Sequence, residues 1–161
     1  MYLTTRGLVL READYKDSGK ILTVLTDTEG KLTVSARGAK RKGSKFASAA
    51  QFLSYSEMTL FGNRGKWTVN EAGLIEPFTG LRKDIERFSL GSYFAECMEA
   101  FSAEEQPDPA LLQLGLNCLY ALSQNRAAEQ DYSRAAHSIM LCHMQAPEDE
   151  DTLALADRIY W

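Results

Sequence analysis

The chain has 161 residues, 45% hydrophobic and 25% charged, a size and balance suited to one globular domain or two small ones. No apolar run nears the roughly 18 residues of a membrane span, and Met1–Arg6 opens no signal peptide, so a cytoplasmic protein with no membrane partner is expected. The net charge of −4 hides an asymmetry: residues 1–80 hold 12 Lys+Arg against 8 Asp+Glu and residues 81–161 hold 6 against 14, which suits a polyanion ligand for the first half only.

The first half alternates with the period of a sheet. Leu32, Val34 and Ala36 fall on one face of an extended segment, and Lys31, Thr33, Ser35 and Arg37 on the other. Met58 and Leu60 repeat the pattern against Tyr55, Glu57, Thr59 and Phe61. Five strands are predicted, at about 3–12, 20–27, 31–38, 55–61 and 66–75. Asp27-Thr28-Glu29-Gly30 and Gly62-Asn63-Arg64-Gly65 supply turns, because Gly and Asn tolerate positive φ. The longest connection, 39–54, lies between strands three and four, as in an OB-fold barrel.

Beyond Glu76-Pro77-Phe78-Thr79-Gly80 the period becomes helical. Leu90, Phe94, Cys97 and Phe101 share one face, and Leu112, Leu116 and Leu119 another. Asp108-Pro109 starts the second helix as N-cap and first helical residue. Further helices are predicted at about 131–145 and 150–160. The expected architecture is β + α, with a five-stranded OB-fold barrel over 1–80 followed by an all-helical domain over 81–161.

The strongest local signal is Arg37-Gly38-Ala39-Lys40-Arg41-Lys42-Gly43-Ser44-Lys45, five cations in nine residues, with no acid between Glu29 and Glu57. Such a cluster neutralises phosphates and releases counterions, a source of affinity for nucleic acid that ignores base sequence. Gly38, Gly43 and Ser44 are expected to keep this loop mobile, and Lys31 extends the charge onto the barrel wall. Phe46 and Phe52 follow closely; stacking on bases is one role for them, and a place in the core is the other, expected for Phe52. A solvated loop remains the plain alternative reading of the cations.

No catalytic constellation is legible, so no enzyme is expected. Cys97, Cys118 and Cys142 are odd in number and far apart, which argues against a disulfide framework. Cys142 and His143 are adjacent and diverge on a helix, His137 stands apart, and no Cys-x-x-Cys pair occurs. No metal and no cofactor is expected. The acidic runs Glu104-Glu105 and Glu148-Asp149-Glu150-Asp151 lack the spacing of a calcium loop.

The opening Thr4-Thr5-Arg6-Gly7-Leu8-Val9-Leu10-Arg11, then Tyr15-Lys16-Asp17-Ser18-Gly19-Lys20-Ile21-Leu22, resembles the N-terminus of RecO, a bacterial recombination mediator family. Asp27-Thr28-Glu29-Gly30-Lys31-Leu32-Thr33-Val34-Ser35-Ala36-Arg37-Gly38-Ala39-Lys40 strengthens the resemblance and is its most specific part. It covers about 1–80 and continues more loosely through Leu111–Leu114 and Leu119–Leu122. It implies an OB-fold, a helical C-terminal domain, binding of single- and double-stranded DNA, strand annealing, recombinase loading, and partnership with RecR and the single-strand-binding protein. By matching positions it implies DNA contacts at Lys31, Arg37, Lys40, Arg41, Lys42 and Lys45, and also at Lys20, Arg64 and Lys66. It further implies a nucleoid-associated location.

An acidic partner tail would need cations on the helical half. Arg82, Lys83 and Arg87 are the densest group there, with Arg126, Arg134 and Arg158 elsewhere. Many family members carry two Cys-x-x-Cys pairs for zinc, which this chain lacks, and family chains are usually longer. A shortened or divergent member, or an incomplete one, is therefore expected. The alternative function is an OB-fold module for protein interaction or RNA binding, without a repair role.

Overall fold

A computed structural model of the chain describes residues 1–83 and 85–124. The predicted helices over 131–145 and 150–160, together with Cys142, His137, His143, Arg126, Arg134 and Arg158, lie outside the described residues. The chain forms two compact units. One holds Met1–Pro77 together with Ser102–Pro107, and the other holds Phe78–Phe101 and the chain from Asp108 onward.

The first unit is a closed barrel of five strands: β1 (Tyr2–Tyr15), β2 (Gly19–Thr26), β3 (Gly30–Ala36), β4 (Tyr55–Asn63) and β5 (Lys66–Glu76). Their order around the barrel is β1-β2-β3-β5-β4, closing on β1, with β3 and β5 parallel and all other pairs antiparallel. This is the OB-fold arrangement expected above. Strand β1 is long because it serves two neighbours. Residues 2–8 pair with β4, residues 7–15 pair with β2, and an irregularity between Val9 and Arg11 bends it between them. The alternation reads through to burial: Val9, Leu22, Val24, Leu32, Val34, Met58 and Leu60 fill the interior.

The turns form where small and polar residues permit them. Thr26 Oγ1 donates to Gly30 O at 2.7 Å and accepts from Glu29 N at 3.0 Å, so it braces the β2–β3 turn from inside. Arg64 and Gly65 both have positive φ (52° and 75°), the signature of a two-residue hairpin turn that matches the twist of its strands.

Two connections depart from expectation. The stretch from Arg37 to Ser54 is folded into successive turns, with Ala39 and Ala50 buried in the barrel core. Its C-terminal end is stitched to the bend in β1 by Leu53 N to Val9 O at 2.9 Å and Val9 N to Ser54 O at 3.0 Å. The segment Ser102–Pro107 belongs to the barrel unit although it lies between two helices in sequence. Lys31 N donates to Ala103 O (3.4 Å) and Glu105 N donates to Lys31 O (3.1 Å), which adds a short bridge alongside β3. This strap lies so close to Gly30 that a Cβ there would overlap the backbone of Gln106.

The second unit opens with a 3-10 turn, Thr79–Arg82, followed by α1 (Ile85–Phe101) and α2 (Pro109–Ser123). Asp108 caps α2, its carboxylate accepting from Leu111 N at 3.1 Å with Pro109 next, as the sequence predicts. The buried face of α1 shares only Phe94 with the predicted one. Arg87, Gly91, Phe94, Ala95 and Met98 are buried, whereas Leu90, Cys97 and Phe101 are half-buried. The reason is close packing on α2. At Gly115 a Cβ would overlap the Met98 side chain, so a small residue on α2 receives a large apolar one from α1.

Candidate nucleic-acid interface

The first half of the basic loop is hydrogen-bonded to the β1–β2 turn. Gly38 and Gly43 take positive φ (70° and 78°) at turns. Lys40 N donates to Ser18 O at 2.9 Å, and Arg41 Nε donates to Ser18 Oγ at 3.2 Å. These bonds tie the first half of the loop to the β1–β2 turn.

The predicted cations divide by what they touch. Lys40 Nζ lies 3.1 Å from Asp14 Oδ2, and Lys20 Nζ lies 3.2 Å from Glu12 Oε2, an oxygen that also accepts Phe52 N at 2.9 Å. Lys31 Nζ donates to Ser102 O at 3.0 Å, so its charge helps hold the strap. Arg37, Lys42, Lys45, Arg64 and Lys66 are exposed, and among the described residues none of them pairs with a carboxylate. Phe46 is half-buried and packs against the barrel core, which leaves it a packing role. Phe52 is also half-buried, and the fully buried side chain at that place is Leu53.

The structure brings two of these cations, Arg37 and Lys66, to one cleft on the outer wall of the barrel, with a volume of about 810 Å³. Its floor is the outward side of β2, β3 and β5, with Ile21, Thr33, Ser35 and Thr68. Strand register explains the floor, since Ile21 pairs with Ser35, and Ser35 with Thr68. Lys16 adds a third cation. Tyr2, Tyr15, Phe61 and Trp67 add aromatic rings, and among the described residues no carboxylate lines the cleft. Lys42 and Lys45 stand further along the same connection that starts at Arg37.

Sequence reading missed Lys16 and the four rings. A usable signal was present: Phe61 falls on the outward side of its strand's alternation, and Tyr2 is its register partner across β1 and β4. Outward aromatics at strand ends, close to cations, distinguish such a wall from a merely solvated one.

On the helical unit, Arg82 and Lys83 are exposed, and the Arg82 guanidinium lies 5.9 Å from the centre of the Phe88 ring. Arg87 is buried, at 7% exposure, so it does not join them at the surface. Among the described residues no group of three His, Cys, Asp or Glu side chains is placed to hold a metal. No described helix is long and apolar enough to cross a membrane.

A closed five-stranded barrel of this strand order defines the OB-fold class of protein, here with a cationic and aromatic outer cleft. Family models agree on which one. Residues 1–78 match the Recombination protein O N-terminal model, and residues 82–145 match the Recombination protein O C-terminal model. The chain belongs to the RecO family. It is 37% identical over 123 residues to the DNA repair protein RecO of Acetivibrio thermocellus, an alignment covering 76% of this chain and 49% of that one. It is 31% identical to the protein of that name from Bacillus pumilus (80% and 50% covered) and 31% identical to that from Clostridium novyi (78% and 48%). The chain thus spans about half the length of the curated relatives it matches.

Proposed function

We propose that this protein is a non-catalytic DNA-binding factor of recombinational repair. In this reading it promotes annealing of complementary strands and loading of recombinase on single-stranded DNA, in the cytoplasm at the nucleoid. The observation that carries the reading is the cleft with Lys16, Arg37 and Lys66 on one wall of the barrel, with no carboxylate among the described residues that line it; Lys42 and Lys45 are exposed on the connection that starts at Arg37. A cationic strip of this kind binds the phosphate backbone by counterion release. The barrel, residues 1–80 in the sequence division, is the DNA-binding domain. Residues 81–161 form the partner domain, where the acidic balance disfavours DNA.

The contacts rank by availability. Arg37, Lys42, Lys45 and Lys66 meet phosphate first, with Arg64 at the adjoining hairpin turn. Lys20, Lys40 and Arg41 contribute after exchanging their present partners, and Lys31 contributes least. Family membership supports RecR and the single-strand-binding protein as partners. The acidic tail of the latter would meet Arg82 and Lys83, which are exposed on the helical unit. Fluorescence titration of the whole chain with single-stranded DNA, duplex DNA and RNA tests the reading. Binding to both DNA forms supports it, and a preference for RNA alone overturns it.

A further inference from the structure

We propose that Glu12, an acid, favours the binding of a polyanion: it is the positioning residue of the basic connection, and its carboxylate holds the far end of that connection so that Lys42 and Lys45 are set where they meet phosphate. The inference rests on the DNA-binding reading and names a residue that acts on the ligand through others.

Strand register places the carboxylate. Glu12 pairs with Leu22 across β1 and β2, and Leu22 faces the barrel interior, so Glu12 lies on the inward side of this hairpin, as does Asp14 two residues on. Ala13, between them, pairs with Ile21 of the cleft floor. The side of the hairpin away from the cleft thus carries two acids, and each takes hold of the basic connection at a different end. Asp14 Oδ2 lies 3.1 Å from Lys40 Nζ, near the start. Glu12 Oε2 accepts Phe52 N at 2.9 Å, near the finish, and accepts Lys20 Nζ at 3.2 Å. The Lys20 side chain is only 15% exposed, so the oxygen is steadied by a cation largely withdrawn from water.

The corner that Glu12 holds is a strained one. Leu53, next after Phe52, is fully buried at a φ of +65°, a left-handed conformation that a bulky L residue takes only when its surroundings impose it. Leu53 N to Val9 O and Val9 N to Ser54 O secure one side of the corner, and Glu12 secures the other. Ser54 Oγ donates to Ser48 O at 2.9 Å and Ala50 N to Phe46 O at 2.9 Å, so the turns leading back to Lys45 are tied to the same place. Lys42 and Lys45 are exposed between two fastened ends. Released at one end, the connection keeps its charge but must be ordered anew at each binding event, which lowers affinity.

Electrostatics alone gives Glu12 the opposite role. A carboxylate beside the loop repels phosphate and occupies Lys20, so by charge its removal should tighten binding. Glutamine separates the two effects, because its carbonyl oxygen can still accept Phe52 N while the negative charge is gone.

The test titrates a fluorescent single strand of mixed sequence with the full chain, unmodified and as Glu12→Gln and Glu12→Ala, at several salt concentrations. Glu12→Gln should bind at least as tightly as the unmodified protein. Glu12→Ala, which has lost the same charge, should bind at least about threefold more weakly than Glu12→Gln. Its log–log salt slope should be shallower than that of Glu12→Gln by about 0.7, the share of one phosphate. Equal affinity and slope in the two variants, both with native circular dichroism spectra, overturn the proposal. A measurement on the unmodified protein keeps the proposal open to refutation should Glu12→Ala not fold. Bound single strand should slow acetylation of Lys42 and Lys45, read by mass spectrometry, and unchanged rates at both lysines overturn the proposal. Failure of the unmodified protein to bind either a single strand or a duplex would overturn the DNA-binding reading itself, and the role of Glu12 with it.

Discussion

The Lys40 ammonium lies 3.1 Å from the Asp14 carboxylate, so one of the loop's cations is already neutralised by the strand that leads into the β1–β2 turn. A phosphate must compete with that carboxylate. Asp14→Asn should therefore tighten DNA binding. Exposed pairs of this kind contribute about 0–1 kcal/mol, so the gain should reach at most about fivefold. It should also steepen the log–log salt dependence on single strands by up to about 0.7, the increment for one further neutralised phosphate. Titrations at several salt concentrations check both, and unchanged affinity and slope would show that Lys40 stays outside the interface.

Lys31 should behave as a structural residue. Its ammonium donates to Ser102 O, and its backbone bridges Ala103 and Glu105. Lys31→Met keeps the aliphatic stem and removes the charge. It should cost about 1 kcal/mol of stability, the scale of one lost hydrogen bond, and change DNA affinity by less than about twofold. Denaturant unfolding paired with DNA titration checks this. A large affinity loss with unchanged stability would return Lys31 to the DNA contacts.

Much of the barrel was legible in the sequence because period-two alternation maps directly onto burial. Leu32, Val34, Met58 and Leu60 point inward as their spacing requires, and Asn63-Arg64-Gly65 turns as its composition requires. The cations of Arg37–Lys45 were visible, but their partners were not. Asp14 and Ser18 come to Lys40 and Arg41 through the folding of β1 against β2, a juxtaposition with no local signature. The strap at Ser102–Pro107 was illegible for the same reason, since it follows α1 in sequence and yet pairs with β3. On α1 only Phe94 of the expected face is buried, because Met98 packs against Gly115 of α2, a pairing between two helices with no local signature.

Gly30 and Gly115 should resist substitution for different reasons. At Gly30 the backbone φ is +74° and a Cβ would overlap Gln106, whose neighbours Ala103 and Glu105 bond to Lys31. Gly30→Ala combines left-handed strain of about 1–2 kcal/mol with displacement of the strap. At Gly115 the overlap is with the flexible end of Met98, so Gly115→Ala should cost about 1–3 kcal/mol. Shortening the partner side chain should recover part of it. Denaturant unfolding of Gly115→Ala, Met98→Ala and the double variant checks this, and strict additivity would contradict the contact.

The most direct test of the central claim is the affinity of the full chain for a fluorescent single strand, measured from 50 to 200 mM salt, with and without Arg37→Glu and Lys66→Glu. These two cations share the cleft, and among the described residues neither pairs with a carboxylate. The unmodified protein should lose affinity linearly on a log–log plot, each neutralised phosphate adding about 0.7 to the slope. The double variant, still folded, should bind at least about tenfold more weakly at the lower salt and show a slope shallower by about 1.4, the share of two phosphates. Salt-independent affinity in the unmodified protein, or full affinity in the folded double variant, would contradict DNA binding at this wall of the barrel.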